Sequence, residues 1–302
     1  MRKTIRQFEK MLEPAGIQLN GSNAWDIEVH DNAFFPRLVR DGTLGLGEAY
    51  MDGWWDCPAL DEMIDRAFRA GLEDKVRNNS RFLLYLLGCR LLNRQSHTRA
   101  FQVGEQHYDI GNNVFESMLD SYMNYSCGYW DSAENLEQAQ IAKMRMICAK
   151  LKLEPGMQVL DLGCGWGGLA RWMAERHGVD VTGVTVSKEQ AQLARERCVG
   201  LPVTIEVKDY RELDGEFDRI VSVGMFEHVG QRNYRTFFQK TCSLLKSEGL
   251  FLLHTIGASR GGFATDRWIE KYIFPNGVLP PAQVLAERAG AFFTIEDWHN
   301  FG

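Results

Sequence analysis

The chain has 302 residues, enough for about two domains of ordinary size. Hydrophobic residues make up 45% and charged residues 25%, the mix of a globular protein, and the net charge of −6 provides no overall basic field to draw it to nucleic acid. Seven cysteines are dispersed without a CxxC pair or a Cys/His metal spacing, which points to reduced thiols, a cytosolic compartment and no metal site.

The N-terminus, MRKTIRQFEKMLE, mixes charges at helical spacing and lacks the apolar core of a signal peptide. Helices are expected over residues 4–13, 59–70 and 80–92, around the glycine-rich stretch GTLGLGEAYMDGWWDC. No strand–helix repeat is visible there, so residues 1–100 read as a small, mainly helical domain distinct from residues 101–302. The longest apolar stretch, residues 82–92, is broken by Arg90 and is too short to span a bilayer.

Between Lys75 and Gly104 there is no acidic residue, while Lys75, Arg77, Arg81, Arg90, Arg94 and Arg99 flank the apolar run from Phe82. A basic amphipathic segment of this kind reads as an interfacial helix drawn to anionic head groups. A core helix with solvated arginines is the other reading. Trp54 and Trp55 are a second candidate membrane contact, with core packing as the alternative.

Residues 100–150 contain HYDIGNNVF, YSCGYW and a long helical stretch, ENLEQAQIAKMRMICAKL. From Gln158 the pattern changes to strands alternating with amphipathic helices: QVLDLGC, GGLARWMAERHG, DVTGVTVS, KEQAQLARERC, VTIEVKDY, FDRIVSVGM, a helix over 234–245, GLFLLHTIG, a helix after Pro281 and a last strand in FFTIEDWHNF. This alternation predicts an α/β fold with a doubly wound, mostly parallel sheet.

The turn Asp161-Leu-Gly-Cys-Gly-Trp-Gly-Gly follows a strand and opens a helix, the setting in which backbone N–H groups approach a ligand closely. Gly163, Gly165 and Gly168 also satisfy the dinucleotide fingerprint GxGxxG. A dinucleotide site wants an acid at the end of the second strand, and that strand ends Gly183-Val-Thr-Val-Ser without one. Asp161, two residues before the first glycine, instead resembles the pattern of S-adenosylmethionine methyltransferases, although many of those also carry the second-strand acid.

Further blocks match one family. Gln106-His-Tyr-Asp-Ile-Gly, Tyr125-Ser-Cys-Gly-Tyr-Trp, Gly183-Val-Thr-Val-Ser-Lys-Glu-Gln, Gly224-Met-Phe-Glu-His-Val-Gly, Leu252-Leu-His-Thr-Ile-Gly and Ile273-Phe-Pro-Asn-Gly-Val-Leu-Pro together resemble cyclopropane-fatty-acyl-phospholipid synthases. The block Leu44-Gly-Leu-Gly-Glu-Ala-Tyr-Met-Asp-Gly-Trp-Trp resembles their bacterial phospholipid-modifying branch. The resemblance implies a class I, Rossmann-like methyltransferase fold using S-adenosyl-L-methionine as co-substrate. It implies cofactor contacts at Tyr125, Ser126, Asp161, Gly163, Gly165, Gly167, Thr185 and Gln190, the last supplying the ribose contact. Asp209 and Tyr210 fall where an adenine contact is expected, though a turn role suits Asp209 equally.

The implied reaction methylates a cis alkene in an acyl chain and then removes a proton from the new methyl to close a ring. It requires a base that survives beside a cation, in a water-free pocket. In the family this base is a bound bicarbonate, and the matching positions are Glu227, His254 and the backbone groups of Cys127 and Ile256. Alone, His254 reads as a strand-end histidine, Glu227 as a loop acid and Cys127 as a small buried hydrophobe. Tyr125, Tyr129 and Trp130 suit either the cation's pocket or the core.

The implied partner is a phospholipid bilayer met peripherally from the cytoplasmic side, with no nucleic acid; a homodimer stays open. The resemblance also has the chain end at Trp298-His-Asn-Phe-Gly, before the family's last segment, which carries a tyrosine at the bicarbonate and helices around the acyl pocket. The alternatives are an ordinary S-adenosylmethionine methyltransferase acting on a lipid or small molecule, and an inactive lipid- or cofactor-binding fragment.

Overall fold

The computed structural model describes residues 2–72, 112–258, 266–275 and 277–301, so the basic segment around Phe82 and the motif Gln106 to Gly111 lie outside the described residues. The chain divides into two compact units, one of residues 1–92 with 266–273, the other of residues 93–265 with 274–302.

In the first unit α1 (Arg2–Leu12), α2 (Phe34–Asp41), α3 (Thr43–Met51) and α4 (Leu60–Arg69) surround a two-stranded antiparallel ribbon, β1 (Glu28–Val29) with β2 (Trp55–Asp56). The apolar residues of these helices recur at helical spacing, and Phe8, Leu12, Phe34, Phe35, Ala49, Trp55 and Met63 form one core. The glycine-rich stretch is therefore the helix α3 followed by a short strand. Trp55 is 3% exposed, and Trp54 is half-buried beneath the Arg37 guanidinium at 4.7 Å. Of the two readings, Trp55 takes the core one: its indole N–H donates to Leu46 O at 2.9 Å.

A helix from far along the chain completes this unit. It runs over Arg267–Tyr272 and is capped by the Asp266 carboxylate, which accepts from Trp268 N. Lys271 Nζ and Tyr272 Oη donate to Glu48 Oε1 at 2.6 and 3.0 Å, and Arg37 donates to Glu48 Oε2 at 2.8 Å. Lys271 first, then Arg37, hold the Glu48 carboxyl down at about 2.

The second unit opens with α5 (Asn112–Met118) and α6 (Leu136–Leu151), whose first turn is capped by Asn135 accepting from Gln138 N. Then β3 (Gln158–Leu162), α7 (Gly168–His177), β4 (Asp180–Thr185), α8 (Lys188–Arg197), β5 (Val203–Val207), β6 (Phe217–Val223), α9 (Tyr234–Leu244) and β7 (Leu245–His254) follow. After β7 the chain reaches the first unit's distal helix, numbered α10 (Arg267–Tyr272), and then α11 (Ala282–Gly290). The five strands are all parallel in the order β5-β4-β3-β6-β7. Helices cover both faces: Val159 joins the core with α6 and α7, while Leu160 and Leu162 join the core with α9 and α11. Strands buried on both sides explain why QVLDL and FDRIVSV read as near-continuous apolar runs.

The strand expected in FFTIEDWHNF is not present. Phe292 N and Phe293 N both donate to Ala289 O, finishing α11 instead of starting a ladder. Phe293 packs on Phe238 and Phe251, and the rest of the segment to Phe301 has no regular structure. Packing of the two half-buried phenylalanines against the core accounts for the apolar signal that resembled a strand.

Candidate active site

The sheet order reverses between β4 and β6 on either side of β3, and ligands of such sheets collect at the carboxyl ends of strands beside this reversal. A cavity lies there. Its floor is the turn after β3, where Gly163 and Gly165 take φ of +83° and +55°, a region side-chain-bearing residues rarely adopt. The turn is pinned by Gly163 N and Cys164 N, both donating to Val184 O at 2.9 Å. At Gly168, the first residue of α7, a Cβ atom would sit 2.0 Å from Tyr122 O, so only glycine fits. Gly167 does not line the cavity; it caps α7 and faces Ala194 of α8.

Asp161 lines the cavity and is 2% exposed. Its Oδ2 has no hydrogen-bond partner among the described residues, and burial alone pushes its carboxyl up to about 7. At the end of β4, Thr185 Oγ1 donates to Gln190 Oε1 at 2.8 Å while accepting from Ser187 N, and Ser187 Oγ caps α8 by accepting from Gln190 N. Gln190 is thus held against the wall of the cavity by the strand end itself. After β5, Asp209 and Tyr210 also line it. Both Asp209 oxygens accept from the Arg211 guanidinium, at 2.8 and 2.6 Å, and Oδ1 also accepts from Arg211 N at 2.9 Å. Tyr210 packs edge-on against Phe237 and burial pushes its hydroxyl up to about 12. From before the sheet, Tyr125 and Ser126 close the opposite wall; the Tyr125 ring contacts Phe115, Trp166 and Phe274.

Glu227, His254, Cys127 and Ile256 come together beside this cavity. Glu227 stands in a single helical turn (Phe226–His228) after β6, 7% exposed, and its Oε1 accepts from Ile256 N at 2.7 Å. The Ile256 N–H therefore holds Glu227, a contact the sequence did not predict. Glu227 Oε2 is buried without a hydrogen-bond partner among the described residues. Burial raises its carboxyl above the usual range, opposed by the Ile256 N–H and by Thr255. His254 ends β7, and its Nε2 meets Cys127 Sγ at 3.4 Å while Nδ1 is buried without a partner among the described residues. Burial, then the charge of Lys143, lower its pKa to about 4, which keeps the ring neutral at pH 7. Cys127 is exposed, not the small buried hydrophobe its residue type alone suggested, and desolvation of its sulfur still raises the thiol, so it is a poor nucleophile. Tyr129 packs edge-on against Phe301, which also stacks on His254, whereas Trp130 is 53% exposed.

Sequence reasoning missed Lys143. It lies on α6, 1% exposed, and donates to Ser126 Oγ at 2.6 Å. The signal was present: Lys143 falls on the helix face shared by Ala139, Gln140, Met144, Ile147 and Leu151, all buried.

Residues 95–302 match the protein family described as mycolic acid cyclopropane synthetase. The chain is 55% identical over 297 residues to a cyclopropane-fatty-acyl-phospholipid synthase of Escherichia coli (strain K12), covering 98% of this chain and 78% of that protein. The fold matches the cyclopropane synthase MmaA2 from Mycobacterium tuberculosis with a TM-score of 0.61 at 32% identity, covering 68% of this chain and 78% of that one. It also matches the mycolic acid cyclopropane synthase CmaA1 complexed with SAH and CTAB, with a TM-score of 0.60 at 34% identity and coverage of 65% and 76%.

Proposed function

The chain belongs to the mycolic acid cyclopropane synthetase family, and on that premise we propose that it adds a methylene from S-adenosyl-L-methionine across the cis double bond of an unsaturated phospholipid acyl chain. The observation that supports the reading most directly is that Glu227 Oε2 and His254 Nδ1 are both buried and unpartnered among the described residues, near a cavity lined by the neighbouring Ser126, Lys143 and His228.

The co-substrate supplies an electrophilic methyl on sulfur. The pinned turn at Gly163 and Gly165 lets its backbone come close, and Gln190, locked by Thr185, offers its amide to the ribose. Transfer to the alkene leaves a cation on the acyl chain, and loss of a proton from the transferred methyl closes the ring. Glu227 and His254 suit a small base such as bicarbonate, since each keeps one buried polar atom without a hydrogen-bond partner among the described residues. Bicarbonate, when bound, supplies a proton acceptor that does not attack the cation. Ile256 N–H orients Glu227, Cys127 positions His254, and Phe301 covers the imidazole face. A neutral His254 suits this task, because an imidazolium would repel the developing cation.

No helix among the described residues is long and apolar enough to cross a membrane. We place contact with the bilayer in residues 1–100, through the basic segment holding Arg77, Arg81 and Arg90. The test is incubation with S-adenosyl-L-methionine and vesicles of unsaturated phospholipid, followed by mass analysis of the fatty acids. The expected product gains CH₂ and loses its double bond; a methylated product that keeps the alkene would overturn the assignment.

A further inference from the structure

The buried amine on α6 stands out as a cost without a visible return. Lys143 is 1% exposed, and among the described residues its one hydrogen bond goes to the neutral Ser126 hydroxyl and no carboxylate lies within ion-pair distance. Burying an ammonium without a counter-charge is expensive. Burial lowers its pKa only to about 8, so the group is still mostly protonated at pH 7.

Its surroundings offset the charge only at a distance. Asp120 attracts it from the end of α5, but the Asp120 oxygens already accept from Tyr122 N, Asn124 N and Asn124 Nδ2. The Cys127 thiol is raised by desolvation, His254 is neutral, and burial biases Glu227 toward its uncharged acid. The other lysine and arginine lining the cavity, Lys208 and Arg211, are paired with Glu206 and Asp209. Lys143 is thus attracted by Asp120 at longer range but, among the described residues, makes no direct ion pair.

The same face of α6 also fixes the chain it touches. Lys143 holds Ser126 by its hydroxyl and Gln140 Nε2 holds it by its carbonyl at 2.8 Å. The next residue is Cys127, whose sulfur meets His254.

We propose that Lys143 is a positioning residue that gives the Glu227–His254 site its affinity for a small monovalent anion, supplying the positive charge the pair lacks and locking the Ser126–Cys127 turn against His254. The inference rests on the proposed bicarbonate base. It adds a charge requirement: one buried ammonium, one anion.

The test compares the wild-type chain with Lys143→Met. A methionine of similar length removes the charge while keeping apolar contact, and replacing a buried charge in this way is often neutral or stabilising. Three quantities are read: line broadening of carbon-13 bicarbonate by NMR, the titration midpoint of His254 by NMR, and the affinity for S-adenosylhomocysteine by calorimetry. The expected result is bicarbonate binding weakened at least about tenfold, the loss of one charge-assisted contact. The His254 midpoint should rise, because the nearby positive charge is gone, and the S-adenosylhomocysteine affinity should fall less than the bicarbonate affinity does. Unchanged bicarbonate broadening with an unchanged His254 midpoint overturns the proposal. If Lys143→Met does not fold, the wild-type protein decides: the Lys143 side-chain nitrogen resonance shifts on adding bicarbonate if the proposal is right and stays in place if it is wrong. Absence of bicarbonate binding by the wild type is a different failure, and it would remove the base assignment itself.

Discussion

Asp161→Asn should stabilise the ligand-free protein, and by more at alkaline than at acidic pH. Asp161 is 2% exposed and its Oδ2 has no partner among the described residues, so ionising it costs desolvation with no return. Its folded pKa is about 7, against about 3.9 for an unfolded aspartate. The unfolded chain therefore releases this proton first, and between about pH 4 and pH 7 the unfolded state gains over the folded one as pH rises. With those two values the penalty is on the order of 1–2 kcal/mol at pH 5 and ~4 kcal/mol at pH 8, where it has levelled off. Asparagine carries no such penalty. Any cost of its own amide is the same at both pH values and cancels when the two differences are compared. Equilibrium urea unfolding, followed by the fluorescence of the buried Trp166 and Trp172, gives stability for both proteins at pH 5 and pH 8. The advantage of the variant should grow by roughly 3 kcal/mol between them. An advantage that differs by less than about 0.5 kcal/mol would refute the reasoning, because Asp161 would then be ionised normally in the folded chain.

Glu227→Gln should lower turnover by roughly a hundredfold or more while leaving the S-adenosylhomocysteine affinity nearly unchanged, measured by vesicle assay and calorimetry. Gly168→Ala, whose Cβ would strike the Tyr122 carbonyl, should cost about 1–3 kcal/mol in urea unfolding and weaken cofactor binding as the turn shifts. Reversing Arg77, Arg81 and Arg90 together should weaken sedimentation with anionic vesicles, at about 1 kcal/mol per charge, without altering cofactor affinity. Binding that persists at both low and physiological salt would return that segment to the core-helix reading.

The parallel sheet was legible because its strands are buried on both faces, and a run such as Val159-Leu160-Asp161-Leu162 has no exposed position to blur it. The nucleoside side of the site was legible for a related reason: a glycine turn and a capped helix start leave fixed residue types at fixed spacing. What escaped depends on contacts between distant segments. Lys143 looks like any solvated lysine unless the face of α6 that meets Ser126 is known. The Ile256 N–H is invisible in a sequence, as every residue but proline has one, and its pairing with Glu227 arises only when β6 and β7 lie side by side. The misread last strand had the opposite cause, since Phe292 and Phe293 carry a local apolar signal that α11 and the core absorb.

The helix Arg267–Tyr272 has a consequence for how the chain is made. Glu48 waits for Lys271, 223 positions later, and until that segment leaves the ribosome the N-terminal unit lacks the lysine and tyrosine partners of this carboxylate. At about 5–20 residues per second, the interval is on the order of 10–40 seconds, long compared with the folding of a small domain. Arg37 is encoded nearby and can shield Glu48 in the meantime. The N-terminal unit is thus finished from the far end of the message, and a ribosome stalled anywhere between residues 93 and 265 would display it without its last helix.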